Sequence, residues 1–166
     1  MRMTIRGARL LGALVLSAAA GACATGGNAP RPQPFPGANV PTAKPSPALI
    51  ATALALRGTP YANGGSEPSR GFDCSGFVQW VFARHGLALP REVRDQYDEG
   101  QRIARGDVQA GDLVFFQTVS RGASHVGIAL GTGEFVHAPS SRGVVRVERY
   151  TSGYWSSRWV GARRVQ

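Results

Sequence analysis

The strongest constraint on how this chain can fold is a proline-rich stretch. Seven of the 11 prolines (Pro30, Pro32, Pro34, Pro36, Pro41, Pro45 and Pro47) lie between Ala24 and Pro47. Each one removes a backbone donor and fixes φ, so neither a helix nor a sheet interior can run through the segment. It reads as a semi-rigid tether whose 24 residues would reach roughly 70 Å at ~3.1 Å per residue. Whatever builds a core must therefore come from residues 48–166, a length that suits one domain. With 43% of the chain apolar and 17% charged, there is enough material for that core. No apolar run approaches the ~20 residues of a spanning helix, which excludes an integral membrane protein of that type.

Ahead of the tether, Arg2, Arg6 and Arg9 precede an apolar stretch from Leu10 to Leu16, then the small residues Ala20, Gly21 and Ala22. This is the layout of a secretory signal. The small residues leading to Cys23 resemble a bacterial lipoprotein signal, which implies a lipid anchor on Cys23. With Ala24 rather than Asp next, the resemblance implies export to the periplasmic face of the outer membrane. Ordinary signal cleavage nearby, with Cys23 incidental, is the alternative. The expected organisation is a signal peptide at 1–22, a lipidated Cys and tether at 23–47, and a folded domain at 48–166. The formal charge of +9 favours an anionic partner such as nucleic acid, lipid or cell-wall polymer. Nucleic acid is the weakest of these, because there is no run of five basic residues and no basic stripe interleaved with aromatics.

Within the folded part, Leu49, Ile50, Ala53, Leu54 and Leu56 recur at helical spacing up to Gly58. A turn-rich loop follows through Gly71. A second helix begins at Cys74, with Phe77, Val78, Val81 and Phe82 on one stripe and Gly86 as its stop. A short polar helix is expected over Val93–Tyr97. The second half changes to strand periods at 112–116, 126–130, 134–138, 144–150 and 159–165. Helices followed by antiparallel strands make an α+β layout with a sheet of about five strands.

If Cys23 is lipidated, Cys74 is left as a single thiol in an oxidising compartment, an unusual situation that marks it as reactive. Its place in the first turn of a helix predicts a thiolate stabilised by backbone N–H groups and the helix dipole, hence a lowered pKa. A buried, inert Cys is the bland alternative. Of the three histidines, His85 lies about three turns (~16 Å) along the helix, too far to serve Cys74. His125 and His137 flank a hairpin. A three-residue loop at Gly131-Thr132-Gly133 sets Gly127 opposite His137 and makes the two histidines diagonal neighbours on one face. That face is otherwise small, and the start of the Cys74 helix is expected to dock on it. Cys74 would then be the nucleophile, His125 its base and His137 the group that orients His125. The Cys74 N–H would help to hold the oxyanion. A zinc site on the same three residues is the rival, but no CxxC or HExxH spacing favours it, so no metal or cofactor is expected.

The motifs G-T-P-Y (58–61), F-D-C-S-G-F-V (72–78), L-P-R (89–91), G-D-L-V-F-F (111–116), H-V-G-I-A-L-G (125–131), F-V-H-A-P (135–139) and W-V-G-A-R-R-V (159–165), together with Gly64, Gly65 and Gln96, resemble the NlpC-type cell-wall endopeptidases, bacterial papain-like cysteine peptidases. The resemblance implies a papain-like core, with Cys74, His125 and His137 as its catalytic residues. It further implies that Tyr61 lies near the nucleophile, and that Asp73 and Ser75 hold the L-Ala–γ-D-Glu end of a substrate. The implied reaction is hydrolysis of the γ-D-glutamyl–diaminopimelate bond in peptidoglycan stem peptides. Val93 replaces the family's usual small residue on the groove. Amidase or acyl-transfer chemistry on the same triad, or a non-catalytic wall-binding module, are the alternatives; the sequence assigns no protein activator.

Overall fold

In the computed structural model, which describes residues 47–140 and 143–165, Pro47 opens helix α1 (Pro47–Ala55). Proline is well placed there, because the first helical residue has no intrahelical use for its N–H. The expected signal peptide, Cys23 and the rest of the expected tether lie outside the described residues. Strands β1 (Ser66–Glu67) and β2 (Gly71–Phe72) pair in an antiparallel ribbon that delivers the chain to α2 (Cys74–Ala83). Past α2 the chain turns through Gly86 at φ 78°, which glycine adopts without steric cost. His85 keeps a structural role, its Nε2 lying 2.9 Å from Thr52 Oγ1 and tying α2 to α1.

After α3 (Val93–Asp98) come β3 (Gln101–Ile103), β4 (Leu113–Phe116), β5 (His125–Ala129), β6 (Glu134–His137), β7 (Arg146–Arg149), α4 (Gly153–Ser156) and β8 (Trp159–Arg164). Among the described residues six of these strands form one antiparallel sheet in the order β3-β8-β4-β5-β6-β7. The α+β layout is the expected one, and the sheet has one strand more than the sequence periods indicate. The addition is β3, which pairs with β8 from Gln101↔Arg164 to Ile103↔Ala162.

The two faces of the sheet carry different cores. Phe77, Val78, Val81 and Phe82 of α2, with Leu49 and Ala53 of α1, pack on Leu113, Phe115, Val126, Ile128 and Val136. The other face holds Val114, Phe116, Ala129, Phe135 and Ala162 under Tyr150 and Trp155. The β5–β6 register, Ile128↔Val136 and Ala129↔Phe135, is that of a three-residue loop, so His125 and His137 do share a face. The expected docking of α2 on that face is not met: α2 lies on the apolar side. The space left by Gly127 is taken by the hairpin's own side chains. A Cβ there would meet Phe135 Cδ2 at 2.6 Å and His137 Cβ at 2.9 Å.

Candidate active site

Asp73 starts the site. Its extended backbone makes it the N-cap of α2, with Oδ1 accepting from the Gly76 N–H at 2.8 Å and Oδ2 from the Gly64 N–H at 3.0 Å. The capped turn presents Cys74 at the helix start, where the backbone N–H groups of Val126, Ser75 and Cys74 itself lie near enough to the thiol to favour its thiolate. Val126 follows His125, so the thiol sits at the end of β5 that carries the histidine. Gly76 permits this docking, since a Cβ on it would stand 2.1 Å from the Gly65 carbonyl oxygen. Glycine to alanine inside a helix ordinarily gains about 1 kcal/mol. Gly76→Ala is expected instead to destabilise by ~1–3 kcal/mol through overpacking. Thermal melts check this, and a variant as stable as the parent would refute it.

Among the described residues Cys74 is the free thiol. The lowered pKa expected from the helix start is overturned. Burial, followed by the neighbouring Asp73 carboxylate, pushes the thiol up to about 11, outweighing the three backbone N–H groups. A resting thiolate is therefore scarce near neutral pH, and a neighbour must take the proton.

Behind the thiol end of β5 lies a buried pair: His125 Nε2 and His137 Nδ1 are 2.7 Å apart. Burial, then the neighbouring His137, holds His125 well below the ordinary histidine range. Burial also lowers His137, against the pull of Glu148. Both rings are neutral at pH 7, the form in which histidine accepts a proton. Trp155 covers them, stacked on His125 with centroids 5.0 Å apart and edge-on to His137 at 4.9 Å.

In front of the thiol is a groove of about 510 Å³ walled by Tyr61, Asp73, Cys74, Ser75, Arg91 and Val93. Burial, then Cys74 and Asp73, raise the Tyr61 pKa, so its hydroxyl stays a donor. The structure thus gathers Tyr61, Asp73, Cys74 and Ser75 on one groove, while His125 and His137 meet each other and are not among the residues that line it. Asp73 and Ser75 are already engaged: Arg91 donates to Asp73 Oδ2 at 2.5 Å and to Ser75 Oγ at 2.7 Å. Buried Gln96 donates to the Ser75 and Pro90 carbonyls at 3.1 and 2.8 Å, pinning the Arg91 loop to the Cys74 turn. Sequence reasoning missed the parts played by Arg91, Trp155 and Glu148. The L-P-R motif was a signal for Arg91; nothing local marked the other two.

A thiol at a helix start on a polar groove, together with a buried histidine pair on an antiparallel sheet, defines the papain-like class of thiol hydrolase architecture. The chain belongs to the NlpC/P60 family, whose model matches residues 58–164. It is 44% identical over 110 residues to the murein DD-endopeptidase MepS/murein LD-carboxypeptidase of Escherichia coli (strain K12), covering 66% of this chain and 57% of that protein. It is 39% identical over 129 residues to the gamma-DL-glutamyl hydrolase of Bacillus subtilis (strain 168), covering 77% of this chain and 30% of that one. Among solved structures, an NLP/P60 family protein of Staphylococcus aureus described as similar to lipoprotein superposes with a TM-score of 0.68 at 34% identity, over 78% of this chain and 45% of the other. The chain thus spans less than two thirds of the length of each of these relatives.

Proposed function

We propose that this chain is a thiol endopeptidase of peptidoglycan stem peptides that cuts the γ-D-glutamyl–meso-diaminopimelate bond. The observation that carries the reading is the Cys74 thiol on a polar groove, near the end of β5 that carries His125, which is itself hydrogen-bonded to His137. His125 takes the thiol proton as Sγ attacks the γ-carbonyl carbon, and the oxyanion is met by the Cys74 N–H at the helix start. Collapse breaks the C–N bond, and His125 returns the proton to the leaving amine of diaminopimelate. Water then attacks the thioester, with His125 as base, and releases the glutamyl carboxylate and the thiol. Tyr61, Asp73 and Ser75 border the acyl side of the groove, where the Arg91 guanidinium offers a partner to the free carboxylate of D-Glu.

The name of the Bacillus subtilis relative supports the D,L bond. The Escherichia coli relative, named a DD-endopeptidase, favours a second reading in which the D,D cross-link between diaminopimelate and D-Ala is cut. The proposed organisation is a lipoprotein signal at 1–22, a lipid-anchored tether at 23–47 and a peptidase domain at 48–166, placed on the periplasmic face of the outer membrane. Diaminopimelate-type muropeptides, monomeric and cross-linked, incubated with the parent and with Cys74→Ala and weighed by mass spectrometry, test the reading. The expected result is a γ-D-Glu–diaminopimelate cut that falls by on the order of 10⁴ or more in the variant. A D,D cut moves the assignment to the second reading, and products carrying a new amine to acyl transfer. No cut with an inert thiol leaves a wall-binding module.

A further inference from the structure

The residue that decides where the protons of the histidine pair lie is Glu148, and the inference rests on the thiol reading proposed above. Strand β7 runs beside β6 with His137↔Arg146 and Phe135↔Glu148 in register, which places Glu148 diagonal to His137 on the same face. Glu148 Oε2 lies 3.5 Å from His137 Nε2. The carboxylate is itself fixed from two directions: Arg146 Nε stands 3.1 Å from Oε1, and Trp155 Nε1–H donates to Oε2. The ionisable and polar groups that face this point are therefore His125 from β5, His137 from β6, Arg146 from β7 and the Trp155 indole from α4.

One proton lies between His125 Nε2 and His137 Nδ1, and it has two homes. If it is on His137 Nδ1, His137 turns a bare Nε2 lone pair toward the Glu148 oxygens. His125 then carries its own proton on Nδ1, the nitrogen that the thiol reading assigns as proton acceptor, and cannot accept another. If it is on His125 Nε2, His137 carries its proton on Nε2, facing Glu148, and His125 Nδ1 is bare. We infer that Glu148 is a positioning residue that selects the second arrangement and stabilises the charge His125 gains when it takes the Cys74 proton. In that step the S–H bond breaks, an N–H bond forms at His125 Nδ1, and Glu148 stays ionised throughout; the same proton later leaves on the amine. The proximity of His137, ahead of the Trp155 indole N–H and Arg146, holds the Glu148 carboxyl down to about 2, so its charge is present at every pH where the protein would work.

The test uses the full chain and needs no wall substrate, so it is independent of whether muropeptides are cut. Long-range ¹H–¹⁵N correlation spectra near neutral pH are expected to show both His125 and His137 protonated on Nε2. A proton on His125 Nδ1 in the parent overturns the inference with no mutant required. Alkylation of Cys74 by iodoacetamide, read by peptide mass spectrometry so that Cys23 is scored separately, is then followed against pH. Glu148→Gln, which keeps the shape and removes the charge, is expected to slow it by on the order of 10²-fold, the lower end of what a positioned base contributes. The Glu148 charge raises the His125 pKa. Its loss should therefore shift the acid fall-off of alkylation to lower pH, and Glu148→Asp should restore most of the rate. If Glu148 were only a structural prop, its replacement would hydrate His125 and shift the fall-off upward instead. That upward shift, or an unchanged rate in Glu148→Gln, overturns the proposal.

Discussion

Replacing His125 with alanine is expected to reduce stem-peptide cleavage by on the order of 10³-fold or more, the range of a lost general base. It should also change how the thiol reports on pH. Burial and the Asp73 carboxylate set the Cys74 thiol at about 11, so without a base its alkylation should be slow at neutral pH and recover only toward that value. At pH 7 such a thiol is ionised in roughly one molecule in 10⁴. The parent, if His125 serves Sγ as proposed, should react far faster there. The recovery at alkaline pH matters as much as the loss, because it shows that Cys74 is still accessible in the variant. Iodoacetamide trapping across pH 6–11 measures both arms. Equal neutral-pH rates for parent and variant would remove His125 from the role of base.

The second large effect is on stability and arises far from the thiol. Asp112, at the head of β4, is wholly buried as a carboxylate. Arg164, at the end of β8, meets it with two parallel contacts, Nε to Oδ1 at 2.7 Å and an Nη to Oδ2 at 2.8 Å. The Gln109 N–H donates to the same Oδ2 at 2.8 Å. Removing Arg164 leaves a buried charge without its counterion, the most costly way to break such a pair. Arg164→Ala is therefore expected to destabilise by ~3 kcal/mol or more. Adding Asp112→Asn to that variant should recover part of the loss, since the orphaned charge is gone while the Gln109 bond can remain. Urea unfolding of the parent, the two single variants and the double variant measures the coupling. If the two single changes simply add, the pair is not the source of the stability.

Features written in local periods and punctuation were legible in the sequence. Pro47 and Gly86 bracket the helical region, the stripe from Phe77 to Phe82 faces the core, and Gly131-Thr132-Gly133 fixes a register that puts two histidines on one face. What the sequence hid depends on partners distant along the chain. Strand β3 has three residues, too few to show a period of two. The docking side of α2 was misjudged because Gly127 looked like room for a helix, when the Phe135 ring fills it. The direction of the Cys74 pKa follows from desolvation, a property of packing that no motif records. Glu148 escaped notice because residues 138–145 separate β6 from β7, and a connection of that length does not set the pairing that makes it diagonal to His137.

The position of the last strand bears on how the molecule comes into being. β8 is not at the sheet's edge: it lies between β3 and β4, and its Arg164 closes the pair with Asp112. A chain emerging from its N-terminus can form α1, α2 and the β4–β5–β6 meander early, but β4 keeps an open edge and β3 has no neighbour until residues 159–164 arrive. Long-range pairing of this kind is slow to form. Completion of the sheet thus waits until β8 has emerged, a built-in delay that leaves the strands ahead of it unlocked until then.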